Sequence, residues 1–249
     1  MTGYAEGFIL GFIQGLTEFL PVSSSGHLVL AENLGVGEEN VFFNLALHLA
    51  TLLAVTVAFR KKIFSLLRRP LQADNLFILV ASVPTAVLAG VIRYFFPSQT
   101  EWLPFCFAIT GFVLLLPETV KPLSPPKDNK GLVLRALFCG LCQGAACING
   151  ISRSGTTVSA MRLAGFGKEE CAEKSFLLSI PIIVGSSAVE LLTGGAASVA
   201  AGPLVLGAIT AFAVGLCAIF LFIKILKKGK LWIFSLYTFL MAIVTFLIL

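Results

Sequence analysis

The chain has 249 residues, 57% of them hydrophobic and only 12% charged, with a mean hydropathy of +0.94. A soluble domain carries about twice that charged fraction, so a soluble fold is excluded and an all-α integral membrane bundle is expected, as one domain over residues 1–249. The net charge of +5 would suit a nucleic acid, but most of the Lys and Arg residues fall in short connectors between apolar runs, which argues against that partner.

In chain order, MTGYAEGFIL lacks a basic n-region and a small-residue cleavage site, so no removed signal peptide is expected. Apolar runs of spanning length follow near 42–59, 75–96, 104–119, 173–193, 203–223 and 231–249. Basic residues cluster between them: Arg60, Lys61, Lys62, Arg68 and Arg69; then Lys121, Lys127 and Lys130; then Lys224, Lys227, Lys228 and Lys230. Such connectors are expected as solvated loops on the cytoplasmic side. The first run then starts outside, beside Glu38 and Glu39. Residues 1–34 must begin and end outside, and 131–165 must begin and end inside.

Each of these two segments carries a polar break, Pro21–His27 in PVSSSGHL and Asn149–Thr157 in NGISRSGTT. The expectation is therefore about six transmembrane helices plus two re-entrant helical hairpins. A shift of 129 residues lays Gly11 on Gly140, Gln14 on Gln143, Ser23 on Ser152, Ser25 on Ser154 and Gly26 on Gly155. The copies sit in opposite orientations. This predicts an inverted-topology repeat (about 1–119 and 131–249), with a site where the breaks meet. The pair Cys139 and Cys142 lacks further metal-ligand partners at ordinary spacing, so the cysteines are read as packing residues.

A helix restarting after each break offers N–H groups and a dipole to an anion. Ser23, Ser24, Ser25, Ser152, Ser154 and Thr157 add hydroxyl donors, and Gly26 and Gly155 let the backbone pass close. Arg153 is costly so far from the basic connectors; it either clamps phosphate oxygens or pairs with Glu18 and locks the bundle. Gln14 and Glu18 share a helix face. They suit either a divalent cation, Mg²⁺ or Ca²⁺, shared with substrate phosphates, or, for Gln14, an interhelical hydrogen bond. His27 suits proton transfer. His48, with no polar neighbours in FNLALHLATLLAV, is read as a packing or supporting histidine.

EFLPVSSSGHLVL followed by GISRSGTT closely resembles the bacterial undecaprenyl-diphosphate phosphatase family, the BacA-type bacitracin-resistance proteins. The resemblance runs the length of the chain, through FNLALHLATLLAVTVAFR and KSFLLSIPIIVG. It implies a phosphoric anhydride hydrolase of the bacterial plasma membrane, open to the outer face. Such an enzyme removes the terminal phosphate of undecaprenyl diphosphate and recycles the carrier for cell-wall synthesis. It also implies a divalent cation at Gln14 and Glu18, a phosphate clamp at Arg153, and roles for Ser24 and His27 as nucleophile and proton carrier in either order. The expected partners are the lipid substrate and membrane lipid, with a second copy of the chain as a further candidate. Gln14 stands where the family often has a carboxylate, and Asn149 where it usually has proline. The same inverted repeat would also suit a polyprenyl-phosphate transporter or flippase.

Overall fold

The computed structural model describes residues 3–37, 40–69, 72–95, 100–193 and 199–249. Glu38 and Glu39, expected at the outer end of the first span, lie outside the described residues. Among the described residues all regular structure is helical: α1 (Tyr4–Phe19), α2 (Ser24–Asn33), α3 (Val41–Ala58), α4 (Arg60–Arg68), α5 (Ala73–Phe95), α6 (Leu103–Thr119), α7 (Asn129–Ala145), α8 (Arg153–Leu163), α9 (Lys168–Thr193), α10 (Ala201–Lys227) and α11 (Leu231–Ile248). Six of them, α3, α5, α6 with the short 3-10 turn before it, α9, α10 and α11, are long and apolar enough to cross a membrane. They coincide with the six apolar runs, and the protein is a multi-pass membrane protein.

The connectors differ from expectation in two places. The stretch around Arg60–Arg68 is a helix, not a loop: Ile63, Phe64, Leu66 and Leu67 recur at helical spacing among the cations. At the third connector α10 runs on through Lys224 and Lys227, where cations complement the carbonyl end of the helix dipole. Asn40 caps α3 by accepting from Phe43 N at 3.0 Å, and Asp128 caps α7 by accepting from Gly131 N at 2.7 Å.

Both broken segments are seated through small residues. Lipid tails are as apolar as leucine, so helices in a membrane associate by close packing. Gly7, Gly11 and Gly15, four apart on one face of α1, press against the backbone of α10. A methyl group there would collide with the carbonyl oxygens of Pro203, Gly207 and Ala211. On α7, Gly140 meets Ala81 and Pro84 of α5, and Gly144 meets Leu88. Thr85 of α5 donates to the Gly140 carbonyl at 2.9 Å. The further packing pairs are α6 on α11, α3 on α10 and α3 on α9. An aromatic chain, Phe19–Phe176–Phe222–Phe234, ties the end of α1 to α9, α10 and α11.

Seating by glycine predicts that Gly11→Ala lowers the thermal unfolding temperature in detergent, at a cost of about 1–3 kcal/mol for the overpacking. Gly90→Ala, where nothing lies within 4 Å of the added methyl, should not lower it. Equal behaviour of the two variants would show that α1 is not seated by its glycine face.

Candidate active site

Proline ends the first helix: Pro21 cannot continue α1, and Leu20 before it is extended (φ −69°, ψ 145°). Ser23 then caps α2, its Oγ accepting from Gly26 N at 3.3 Å. The second break repeats this: Ser152 caps α8, its Oγ accepting from Gly155 N at 3.1 Å. Ser24 and Arg153 are therefore the first residues of the two restarting helices.

The breaks latch across to each other. Ser25 Oγ accepts from Gly150 N at 3.2 Å, and Ser154 Oγ donates to Leu20 O at 3.0 Å. These are corresponding serines reaching corresponding peptide groups of the opposite break. The first break offers only its carbonyl, because Pro21 has no N–H. Ser152 N donates to Thr110 Oγ1 of α6 at 3.0 Å.

At the centre Glu18, its side chain 3% exposed, accepts from Arg153 at Oε1. Its other oxygen, Oε2, accepts from Ser24 Oγ at 2.6 Å and from Gln14 Nε2 at 3.1 Å. Gln14 Nε2 also donates to His48 Nδ1 at 2.8 Å, and that nitrogen lies 3.5 Å from Glu18 Oε2. Glu18, Ser23, Ser24, Ser25, His48, Ser152, Arg153 and Ser154 line one cavity of about 1240 Å³. It runs between α5, α6 and α9, past Ala86, Ile109 and Ile183, to Arg93, Trp102 and Glu190. A polar floor thus opens into a long, mostly apolar channel.

Not every residue singled out in the sequence faces this cavity. Gln14 is fully buried beneath the floor. Gly26 and Gly155 lie inside the first turns, their N–H groups spent on the caps. Thr157 Oγ1 is bonded to Ser175 of α9 and to the carbonyl oxygens of Arg153 and Ser154. The sequence placed His27 in the cavity with Glu18, Ser24 and Arg153, and its ring lies outside. Its Nδ1 bonds Ser23 O at 2.6 Å, its Nε2 meets Tyr237 Oη at 2.7 Å, and Phe107 closes on its face. Those bonds turn the ring toward α6 and α11.

The chain matches, over residues 7–244, the family model described as bacitracin resistance protein BacA. The chain belongs to the BacA family. It is 39% identical to the undecaprenyl-diphosphatase of Desulfosudis oleivorans over 96% of each chain. It is 38% identical to that of Carboxydothermus hydrogenoformans, over 96% of this chain and 94% of the relative.

In this BacA chain Tyr237 is the residue that the sequence passed over, while His48, read as a packing or supporting histidine, supports Gln14 and also lines the cavity. Both reach the site from other helices, His48 from α3 and Tyr237 from α11. One signal was available for His48: a titratable side chain within a span is a functional candidate by default, the rule that singled out Arg153.

The donors also bear on a cation. Among the described residues no three His, Cys, Asp or Glu side chains converge. The chemistry fits a cation that arrives with a diphosphate. Mg²⁺ commonly takes one or two carboxylates, with phosphate oxygens and water for the rest. Glu18 is one such carboxylate, and Gln14 Oε1 beside it is buried without a partner.

His48 holds the amide that holds the carboxylate. His48→Ala should therefore lower kcat/KM of phosphate release about tenfold, the worth of one hydrogen bond. His48→Gln, which keeps a polar group at the position, should recover part of that loss. Wild-type kinetics in His48→Ala would remove His48 from the site.

Proposed function

We propose that the protein is a membrane phosphatase that hydrolyses undecaprenyl diphosphate to undecaprenyl phosphate and inorganic phosphate, returning the lipid carrier to cell-wall synthesis. The family and the names of the relatives support this reading. The observation that carries it is the Ser24 hydroxyl, 2.6 Å from a carboxylate that an arginine holds, on the floor of the cavity.

In the proposed reaction the terminal phosphate sits between the starts of α2 and α8. Their first-turn N–H groups lack partners within the helices, and both dipoles favour an anion. Arg153 swings its fork from Glu18 to two phosphate oxygens. Ser24 Oγ attacks phosphorus and passes its proton to Glu18 Oε2. The bond from phosphorus to the bridging oxygen breaks, and undecaprenyl phosphate leaves with that oxygen and its electron pair. Water then attacks the phosphoserine, Glu18 returns the proton it holds to the leaving Ser24 oxygen, and inorganic phosphate departs with both protons of the water. A divalent cation bound with the diphosphate, near Glu18 and Gln14, would offset charge on the phosphates. The prenyl chain follows the apolar channel.

The reading includes a place and a topology. The cavity mouth lies at the ends of α5 and α9 and the start of α6, opposite the basic connectors. With those connectors inside, the site faces the outer side of the bacterial plasma membrane, and Trp102 falls at the interfacial aromatic belt. The broken segments are read as re-entrant. At about 1.5 Å per residue, α2 with 10 residues and α8 with 11 reach only half of a core about 30 Å thick. The pairs α1 on α10 and α7 on α5, with α6 on α11, exchange as an inverted repeat requires.

A polyprenyl-phosphate carrier would need Arg153 and the serines but no base beside a hydroxyl. Phosphate release from undecaprenyl diphosphate by the purified protein in detergent decides for the enzyme; its absence decides against it. Ser24→Ala should lose at least about 10³-fold in kcat, on the scale of lost nucleophiles. Arg153→Lys keeps the charge and loses the planar fork, and should lose about 10²–10³-fold. Near-wild-type turnover in folded Arg153→Lys would show that charge alone suffices and would overturn the clamp.

A further inference from the structure

Ser23 is the one non-glycine residue with a positive φ among the described residues (φ 71°, ψ 95°). A residue with a side chain stays there only where its surroundings impose it. The strained unit comes immediately before Ser24. Its carbonyl oxygen is held twice by His27, from the backbone N at 3.3 Å and from ring Nδ1 at 2.6 Å. A carbonyl only accepts, so Nδ1 carries the proton, and Nε2 of the neutral ring accepts the Tyr237 hydroxyl at 2.7 Å. The Tyr237 ring stacks on His27, centroids 5.7 Å apart and planes within 6°, while Phe107 packs edge-on at 5.3 Å. Neither His27 nor Tyr237 lines the cavity.

We infer that Tyr237 is a positioning residue for the phosphatase reaction. From α11 it fixes the His27 ring; the ring holds the Ser23 carbonyl; the Ser23 backbone, so held, aims the Ser24 hydroxyl at Glu18. His27 in this arrangement is a clamp and moves no proton to or from substrate, because both ring nitrogens are committed away from the cavity. The inference rests on the reading of Ser24 as nucleophile.

Phosphate release is measured for variants at matched folded protein and matched detergent, with thermal unfolding alongside. His27→Asn keeps an amide N–H near the place of Nδ1 and loses the bond to Tyr237. It should retain at least about tenfold more kcat than His27→Ala. Tyr237→Phe keeps the stack and loses the hydroxyl. It should lower kcat about tenfold with KM and unfolding temperature unchanged. In a Ser23→Gly background, where positive φ carries little strain, Tyr237→Phe should cost clearly less, and that non-additivity is the signature of positioning. His27→Asn as inactive as His27→Ala, with Tyr237→Phe at wild-type kcat, would make His27 a proton carrier and overturn the inference. Equal losses from Tyr237→Phe in both backgrounds would mark a merely structural contact and also overturn it. The two readings separate at Ser24→Ala: full activity there removes the nucleophile and this inference with it, whereas an inactive Ser24→Ala beside an indifferent Tyr237→Phe removes the inference alone.

Discussion

Two full charges, Glu18 and Arg153, meet within a mostly apolar bundle, and each is tolerable there because the other is present. Stranding one charge of a buried pair costs about 3–5 kcal/mol, while swapping the whole pair for apolar residues is often neutral. A pair of this kind is poor as a stabiliser and good as a constraint. It joins the end of α1 to the start of α8, so it sets where the two broken segments meet. Ser24, Gln14 and His48 all take their places around the carboxylate. In the proposed reaction the same pair acts as a switch. An incoming phosphate offers Arg153 a second anion, and Glu18, released, can take the serine proton.

On the proposed re-entrant reading, backbone chemistry explains how the breaks survive in a membrane. Each exposes peptide groups that hydrocarbon cannot satisfy. Ser23 and Ser152 cap the helices that follow, and Ser25 and Ser154 bond the peptide groups of the opposite break. Four serines of the two motifs thus hold the backbone of the breaks while also lining the cavity. Ser24 is left with its hydroxyl on a carboxylate in the cavity. The glycines play a matching part, letting α1 and α7 lie close enough to α10 and α5 to hold the breaks in register.

How much of this could be read beforehand follows from how each signal is encoded. The spans were legible because an apolar run long enough to cross lipid is rare in a helix that does not cross it. The breaks were legible because Pro21, Gly150 and the clustered serines interrupt such runs, and the copy at a 129-residue shift tied them together. The Glu18–Arg153 contact was one of two open readings for Arg153. What the linear pattern does not carry is the direction in which a side chain points. Thr157 sits in the motif yet faces Ser175, and His27 sits in it yet faces Tyr237. His48 approaches Gln14 from 34 residues away, and Tyr237 meets His27 from 210 residues away. Such partners depend on helix packing, which one sequence without its fold leaves open. The helical α4 was missed for a related reason: its charges read as a loop, although its apolar residues kept helical spacing.

The central claim is that Ser24, oriented on Glu18 and facing Arg153, makes the bond to phosphorus. The most direct measurement is a single-turnover reaction with a prenyl diphosphate labelled in its terminal phosphate, stopped with denaturant at neutral pH and mapped by peptide mass spectrometry. The account predicts a transient phosphoserine at position 24 that forms and decays within one turnover. Phosphate on His27, or product formed with no phosphoprotein at any time in the turnover, would contradict it.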